Sequence, residues 1–271
     1  MNEFSGRRVV VTGAGRGVGR GIAELFAAQG AHVMIGARTL AFGEVTRDAI
    51  RKAGGVAELT AFEAKSRQSC QELIDAAAAA FGGLDVVIHC AADIPHGGLG
   101  RVSDAAMEAG FASIAKAAWW LLDAARPHLS AAQTGGRFIA VGSVNGTSAT
   151  VPNMTAYGMA KAALDAFVRG AAGDVVQENI TVNAVNPGFI ASDNAKRVLG
   201  DEGLAAYGAA VPVGRAGTPA DVAHACLYFA SMHAGYCTGA SLRLDGGASV
   251  AARSTEAAKL LAARIKAQTE T

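Results

Sequence analysis

Residues 12–20 of the chain read "TGAGRGVGR" and follow directly on the apolar run "RRVVVT" at residues 7–12. Gly13, Gly17 and Gly19 are spaced G-x-x-x-G-x-G, which differs from the G-x-G-x-x-G of the usual dinucleotide fingerprint. Glycines let the backbone turn tightly and approach a pyrophosphate, while the N–H groups of a helix N-terminus face the anion. A plain tight turn would have a similar composition. The position between a first strand and a first helix nevertheless favours a phosphate-binding loop.

Outward from this loop, short β-branched runs alternate with longer alanine-rich stretches. The strand candidates are "RRVVVT" (7–12), "AHVMIG" (31–36), "VAELTA" (56–61), "LDVVIH" (84–89), "GRFIAV" (136–141), "ITVNAV" (180–185) and "SLRLD" (241–245). Helical stretches are expected between them, for example at 17–29, 66–81 and 154–178. Several strand candidates are almost continuously apolar, as strands covered on both faces are. The alternation predicts an α/β fold with a doubly wound parallel sheet.

The domain organisation predicted from the sequence is simple. No linker, repeat or low-complexity segment is visible before about residue 248, so we expect residues 1–250 to form a single dinucleotide-binding and catalytic domain. Residues 251–271 contain Ser254 or Thr255 as a helix start, followed by Glu256, and then Ala257, Leu260, Leu261 and Ile265 at helical spacing. Helix-start residues before an apolar stripe predict a C-terminal helical extension. Because a short helix is marginal alone in water, the extension must pack on its own subunit or on a neighbour, or else remain frayed. We expect it to dock across a subunit interface.

Composition and charge exclude several classes of protein. The 271 residues are 51% hydrophobic and 17% charged with a formal net charge of +1, which is not the composition of a disordered chain. No basic run suggests a nucleic-acid partner, and no apolar stretch is long enough to span a membrane. Because the first strand begins near the N-terminus, we expect no signal peptide. The four cysteines form no C-x-x-C pair, so we expect a reduced, cytoplasmic protein without a metal site; they are Cys70, Cys90, Cys226 and Cys237.

The end of the second strand candidate indicates which dinucleotide is preferred. In this fold a carboxylate at that place binds the 2′-OH of NAD. Here the stretch is "IGARTL" at 35–40, with Ala37 where the acid would lie and Arg38 next to it, while Arg16 projects from the glycine-rich loop. Arginine binds phosphate in a bidentate, charge-assisted way. Two solvated surface arginines would give the same pattern, but we expect NADP(H) to be preferred over NAD(H).

Several ordered motifs together resemble the short-chain dehydrogenase/reductase family. They are "TGAGRGVG", "GGLDVVIHCAA" (82–92), Ser143 in "VGSVNG", "YGMAK" (157–161), "VNAVNPG" (182–188), "VPVGRAGTPADVA" (211–223) and "TGASLRLDGG" (238–247). The resemblance covers residues 5 to 248 and is more specific than any single motif. It implies a Rossmann-type, seven-stranded parallel sheet with helices on both faces, a nicotinamide cofactor and a Ser-Tyr-Lys site.

The resemblance assigns catalytic roles to Ser143, Tyr157 and Lys161. Tyr157 and Lys161 are four residues apart and share one helix face, although that spacing alone would be a common coincidence. A lysine charge and an oxidised nicotinamide would lower the tyrosine pKa, so that Tyr157 could exchange a proton with a substrate oxygen held by Ser143. Ser113 occupies the position of the family's fourth catalytic residue, an asparagine, and its shorter side chain puts the proton relay in doubt. A serine hydrolase is disfavoured because "AVGSVNG" lacks the G-x-S-x-G motif.

The resemblance also indicates which residues contact the cofactor. They are Gly13, Gly15, Arg16, Gly17, Val18, Gly19, Ala37, Arg38, Glu63, Ala64, Cys90, Ala91, Ala92, Tyr157, Lys161, Pro187, Gly188, Ile190 and Ser192. Two of these regions depart from the family pattern. The family's "NNAG" is "HCAA" at 89–92, and a serine, Ser192, replaces the family's threonine while keeping a hydroxyl.

The same resemblance suggests where the substrate binds and how subunits assemble. The expected substrate pocket is lined by Ile94, His96, Asn145, Met154 and Phe189. This mixture favours a neutral, moderately apolar secondary alcohol or ketone as the substrate, including cyclic or aromatic ones. There are three alternatives: a 3-ketoacyl reductase, an enzyme that epimerises or eliminates through a transient ketone, and an NADP-binding regulatory protein with weak catalysis. The 3-ketoacyl reductase is disfavoured because Gly173 replaces an arginine that would face a carrier protein. The family is usually tetrameric, and we expect a homotetramer whose paired helices carry Trp119, Trp120, Gly170 and Gly173.

Overall fold

The computed structural model describes residues 3–250, which fold around one seven-stranded sheet in the order β3-β2-β1-β4-β5-β6-β7. All neighbouring strands are parallel. The strands are β1 (Arg8–Thr12), β2 (His32–Ala37), β3 (Val56–Ala61), β4 (Val86–His89), β5 (Gly136–Val141), β6 (Ile180–Pro187) and β7 (Ser241–Leu244). This sheet confirms the predicted Rossmann-type, doubly wound α/β fold. The strand order reverses between β1 and β4, which is where such sheets bind their ligands.

Helices connect the strands and cover both faces of the sheet. They are α1 (Gly17–Ala28), α2 (Leu40–Lys52), α3 (Arg67–Phe81), α4 (Asp104–Phe111), α5 (Ala117–Ser130), α6 (Thr155–Val175), α7 (Asp193–Ala209) and α8 (Pro219–Ala230). A π-helical turn, Ala112–Lys116, joins α4 to α5, and two short 3-10 turns lie at Val176–Glu178 and Met232–Ala234.

Two apolar cores hold the layers together, one on each face of the sheet. Side chains of α3, α5 and α6, such as Leu73, Leu121 and Leu164, pack on one face. Side chains of α1 and α8, such as Phe26 and Phe229, pack on the other. Because successive strand residues point to opposite faces, a strand covered on both faces must be apolar throughout. The continuous apolar runs in the sequence therefore follow from the position of the strands between two helical layers.

The helices that face the carboxyl ends of the strands begin in two different ways. Ser66, Ser103 and Ser192 cap α3, α4 and α7 through their hydroxyl oxygens. By contrast, Arg16, Thr39 and Met154 precede α1, α2 and α6 without making a side-chain cap, and none of these three helices carries an acidic residue in its first turn. Uncapped backbone N–H groups at a helix N-terminus attract anions. The N-termini of α1 and α2, beside the glycine-rich loop and the end of β2, are thus open to a negatively charged ligand.

The C-terminal helical extension predicted for residues 251–271 lies outside the described residues. Within residues 3–250, none of the helices combines the length and apolar character that crossing a membrane would require.

Candidate active site

A cavity of about 410 Å³ opens along the carboxyl ends of the central strands. Every residue that the sequence assigned to cofactor binding lines this cavity, and so do the four predicted catalytic residues, Ser113, Ser143, Tyr157 and Lys161. These residues come from eight different segments of the chain between residues 13 and 192. The fold brings them together because parallel strands end at the same edge of the sheet.

The glycine-rich loop is packed too tightly for side chains at two positions. A Cβ on Gly13, whose φ is 68°, would lie 2.9 Å from the Cα of Ala91. A Cβ on Gly19 would lie 2.4 Å from the carbonyl oxygen of Gly13. The loop therefore needs glycine at both places, and its bare backbone faces the cavity at the uncapped start of α1. These residues fit the pyrophosphate of a dinucleotide, in agreement with the interpretation of the sequence.

Two basic side chains, one hydroxyl and one aromatic ring surround the start of α2. Arg16 and Arg38 line the cavity here, as predicted, together with Thr39 and Phe42, which the sequence interpretation missed. The Arg16 guanidinium carbon lies 5.5 Å from the centre of the Phe42 ring, a distance at which the cation is attracted to the ring face. The Thr39 hydroxyl makes no helix cap. The sequence signal for Thr39 was present, since threonine before a helix is a common capping residue.

Asp93 is the most important residue at this end that the sequence interpretation overlooked. Its carboxylate accepts a hydrogen bond from Arg38 Nη1 at 2.8 Å, and its second oxygen lies 3.5 Å from Lys65 Nζ. The hydrogen bond to Asp93 raises the pKa of the Arg38 guanidinium above its usual value. No sequence motif signals this contact, because Arg38 follows β2 and Asp93 follows β4.

Tyr157 and Lys161 project from the first two turns of α6 beside the end of β5. The Lys161 ammonium donates a hydrogen bond of 2.6 Å to the carbonyl oxygen of Val141 and lies 5.7 Å from the centre of the Tyr157 ring. Ser143 lies two residues after the end of β5, and its hydroxyl oxygen accepts the backbone N–H of Asn145 at 3.1 Å. The three predicted residues thus face one space at the inner end of the cavity.

The pKa of Tyr157 is raised in this structure, whereas the sequence interpretation expected Lys161 to lower it. Burial raises the pKa of the Tyr157 phenol to about 12, while a hydrogen bond with Ser143 works in the opposite direction. Burial also lowers the pKa of the Lys161 ammonium to about 8. Desolvation disfavours the charged form of both groups, and the Lys161 ammonium is held by Val141 rather than by the phenol. In this arrangement Tyr157 is therefore a protonated phenol at neutral pH.

His89 forms a buried network beneath these residues. The Thr12 hydroxyl oxygen accepts the backbone N–H groups of Cys90 and Ala91 at 3.0 and 3.1 Å. Because both of its lone pairs are used, the hydroxyl must donate to His89 Nδ1, which lies 3.0 Å away. The proton of the ring is then on Nε2, which donates to the carbonyl of Ile114 at 3.1 Å. Burial, together with the charge of Lys161, lowers the pKa of His89 to about 4, so the ring is neutral.

Ser113 lies in the π-helical turn, where the family pattern has an asparagine. Its hydroxyl oxygen accepts the backbone N–H of Asp93 at 2.9 Å and donates to the carbonyl of Gly110 at 3.2 Å. The side chain is buried. These contacts tie the π-helical turn to the segment that follows β4, so the hydroxyl acts on the backbone of Asp93.

Fewer of the predicted substrate residues than of the predicted cofactor residues line the cavity. Within the described part of the chain, the lining of the cavity includes Ile94 but not His96, Asn145, Met154 or Phe189. The Asn145 amide donates to the Met154 carbonyl at 3.2 Å and accepts from the Val151 N–H at 3.3 Å, so it braces the loop before α6.

The segment after β6 adds an aromatic surface near this end of the site. Phe189 stacks on Tyr207 of α7 with ring centres 3.9 Å apart. The sequence interpretation did not foresee the contribution of Tyr207, which comes from the far end of α7.

Comparisons with known proteins agree with this geometry. Residues 13–249 match a family model described as enoyl-(acyl carrier protein) reductase. The chain is 34% identical over 249 residues to the 3-oxoacyl-[acyl-carrier-protein] reductase FabG of Vibrio cholerae, an alignment that covers 90% of this chain and 98% of the relative. It is 32% identical over 257 residues to the short chain dehydrogenase/reductase AacuN of Aspergillus aculeatus, which covers 90% and 96% of the two chains.

A solved structure provides the corresponding comparison in three dimensions. The 7α-hydroxysteroid dehydrogenase complexed with NADH and 7-oxo glycochenodeoxycholic acid superposes with a TM-score of 0.84 at 28% identity, covering 90% of this chain and 95% of that one. The fold, the motifs and the relatives agree. The chain belongs to the short-chain dehydrogenase/reductase family and is a nicotinamide-dependent oxidoreductase of the alcohol dehydrogenase and ketoreductase type.

Proposed function

We propose that the protein interconverts a secondary alcohol and a ketone, with NADP(H) as its cofactor and Tyr157 as the acid and base. The observation that carries this proposal is the convergence of Ser143, Tyr157 and Lys161 on the inner end of the cavity whose outer end carries Arg16 and Arg38. A bound nicotinamide would supply the hydride. The chain's own task is to place the substrate carbonyl, polarise it and move one proton.

At neutral pH the protonated Tyr157 phenol can act as the acid when a ketone is reduced. A phenol with a pKa of about 12 retains its proton, and Tyr157 can donate that proton to a carbonyl oxygen as negative charge develops there. The Ser143 hydroxyl is placed to donate a second hydrogen bond to the same oxygen. Lys161, with a pKa of about 8, is mostly protonated below that pH and stabilises the phenolate left behind. In the oxidative direction the same groups would act in reverse.

The preference for NADP rests on the outer end of the cavity. Arg16, Arg38, the Thr39 hydroxyl and the uncapped start of α2 surround one region, where Ala37 replaces a carboxylate. A phosphate monoester carries a charge of about −1.5 to −2 near neutral pH and suits several donors of this kind. We assign the 2′-phosphate of NADP to this region.

The substrate is proposed to be a neutral, moderately apolar ketone or alcohol of cyclic or aromatic structure. Ile94 in the cavity wall and the stacked Phe189 and Tyr207 offer apolar and aromatic contact area. A relative of similar fold was solved with NADH and 7-oxo glycochenodeoxycholic acid, an acid that carries a keto group. We propose that the expected roles of His96, Asn145 and Met154 are confined to the rim of the pocket and its supporting loop.

A second candidate is reduction of a 3-ketoacyl thioester. It is favoured by the 34% identity to a 3-oxoacyl-[acyl-carrier-protein] reductase. On α6, Gly173 presents no side chain toward solvent, which weakens the case for a carrier-protein partner.

The two candidates are separated by one assay. The enzyme is mixed with NADPH or NADH and a panel containing cyclic and aromatic ketones, a steroid ketone and acetoacetyl-CoA, and oxidation of the cofactor is followed by absorbance. We expect the cyclic or aromatic ketones to be reduced faster than acetoacetyl-CoA. We also expect faster reduction with NADPH than with NADH. Preferential reduction of acetoacetyl-CoA would favour the second candidate, and absence of turnover with every ketone would contradict both.

The assembly proposed is a homotetramer in the cytoplasm. An open apolar depression of about 330 Å³ lies between α5 and α6, lined by Ala115, Lys116, Trp119, Trp120 and Phe167. Trp119 is 57% exposed. On α6, a Cβ at Gly170 or Gly173 would meet no atom within 4 Å, so the helix surface there is open. An open apolar surface with an exposed tryptophan is typical of subunit contacts.

A further inference from the structure

We propose that Asp93 sets the affinity for the cofactor's 2′-phosphate by competing with it for Arg38. The inference rests on the NADP preference proposed above. It assigns to Asp93 a role in cofactor selectivity.

Asp93 has both oxygens engaged by cations. Oδ1 accepts from Arg38 Nη1 at 2.8 Å, and Oδ2 lies 3.5 Å from Lys65 Nζ. Arg38 and Asp93 both line the cavity, so the ion pair between them lies in its wall. The carboxylate is therefore the internal anion of a site that also has to receive a phosphate.

The two partners differ in their freedom to move. The backbone N–H of Asp93 is bound to the buried Ser113 hydroxyl at 2.9 Å, and Ala91, two residues earlier, is bound to Thr12. Asp93 is thus anchored at the end of β4, and its side chain is 28% exposed. Arg38 is 59% exposed and makes its hydrogen bond through one nitrogen. Arg38 is the partner that can turn toward a ligand.

The charges around Arg38 are unevenly distributed. Glu63 also raises the pKa of Arg38, but more weakly than Asp93, which acts through a hydrogen bond as well as through its charge. Arg16 is placed against the Phe42 ring. Asp93 is therefore the principal anion that a 2′-phosphate has to displace from Arg38.

Competition affects the two cofactors differently. A phosphate offers more charge and more acceptor oxygens than a carboxylate, so it can take Arg38 from Asp93, but its net gain is reduced by the contact that is lost. NAD has no such group and leaves the ion pair in place. Replacing Asp93 with asparagine keeps the shape but removes the charge, and should strengthen binding only of ligands that carry a 2′-phosphate.

The experiment measures binding by isothermal titration calorimetry on the full chain, with 2′,5′-ADP and 5′-AMP as probes. These ligands differ at the 2′-phosphate and require no turnover. For Asp93→Asn we expect the affinity for 2′,5′-ADP to rise about three- to tenfold. This gain is larger than the loss of one exposed ion pair would give, because the substitution also frees Lys65 from its contact with Asp93. The affinity for 5′-AMP should stay within about twofold. Asp123→Asn, which removes a carboxylate paired with Arg67 on the surface, is the matched control and should change neither value.

A double variant completes the test. In an Arg38→Ala background, Asp93→Asn should lose most of its effect, because the competition needs the guanidinium. An unchanged affinity for 2′,5′-ADP in Asp93→Asn, or an equal gain for both probes, would overturn the inference. If Arg38→Ala alone leaves 2′,5′-ADP binding unchanged, the proposed NADP preference fails with it. If Arg38→Ala weakens binding but Asp93→Asn does not strengthen it, only the competition is refuted.

Discussion

His89 is fully buried, and both of its ring nitrogens are hydrogen-bonded, which makes it a structural histidine with one defined tautomer. It connects β1, through Thr12, to the π-helical turn, through Ile114. The family pattern has asparagine at this position and at 113. In this chain His89 and Ser113 both make hydrogen bonds at the π-helical turn Ala112–Lys116. The two differences from the family pattern therefore lie in one structural region.

The neutral state of His89 makes the stability of the protein dependent on pH. Its pKa is about 4 in the folded protein against about 6.5 when unfolded, so the unfolded chain takes up a proton first as pH falls. The stabilisation is complete above pH 6.5 and is lost between pH 6.5 and 4. We expect His89→Gln, which keeps an N–H donor but does not titrate, to be less stable than wild type at pH 7.5. The deficit should shrink by about 2 to 3 kcal/mol at pH 4.5.

Urea unfolding at the two pH values measures this difference. His224→Gln, on the exposed face of α8, is the control and should show the same gap to wild type at both. A deficit of His89→Gln that stays constant from pH 7.5 to 4.5 would show that His89 is not held neutral.

At the scale of elements, α7 is interrupted at a single residue. Gly200 has φ 66° and ψ 177°, a conformation that is almost restricted to glycine. The break separates the first part of the helix, which follows Ser192, from the second part, which carries Tyr207. We therefore expect the orientation of Tyr207 over Phe189 to depend on this one backbone conformation.

Gly200→Ala should disturb α7 and weaken substrate binding. The added Cβ costs about 1 to 3 kcal/mol of backbone strain, which we expect to appear as faster amide hydrogen exchange across residues 193–209 and a KM for the ketone raised severalfold. Gly54→Ala is the control, because Gly54 also has a positive φ and open space but lies between α2 and β3. Its KM should match wild type. Equal KM values in both variants would show that the break in α7 has no part in the substrate site.

Sequence patterns were sufficient for the regular elements. Each of the seven strands lies within two residues of its predicted bounds, because continuous apolar runs are required wherever a strand is covered on both faces. The π-helical turn at Ala112–Lys116 could not be predicted, since its residues have ordinary helical composition. The Arg38–Asp93 pair joins residues 55 positions apart through the order of the strands, which local patterns do not contain. The acidity of Tyr157 depends on burial, which is a property of the packed structure.

At the scale of the whole molecule, the face formed by α5 and α6 is the place where assembly can be tested. Trp119→Glu places a charge on a side chain that is already 57% exposed in one subunit, so the fold should tolerate it. If this face pairs subunits, burying the charge is costly and the assembly should dissociate. We expect light scattering at micromolar concentration to give a tetramer for wild type and a smaller species for Trp119→Glu.

Val45→Glu is the control for this experiment. Val45 is 53% exposed on α2, away from α5 and α6, so its variant should remain tetrameric. A monomeric wild-type protein, or a Trp119→Glu variant of unchanged size, would contradict the proposed interface.

The central claim is that Tyr157 supplies the proton when hydride reaches the substrate. The most direct test is a single-turnover measurement of NADPH oxidation by stopped-flow absorbance, with the best ketone of the panel, for wild type and Tyr157→Phe. Because phenylalanine keeps the ring and removes the proton, we expect the rate to fall by about 10²- to 10⁴-fold while NADPH affinity stays within about threefold. A Tyr157→Phe variant that retains most of the wild-type rate would contradict the account.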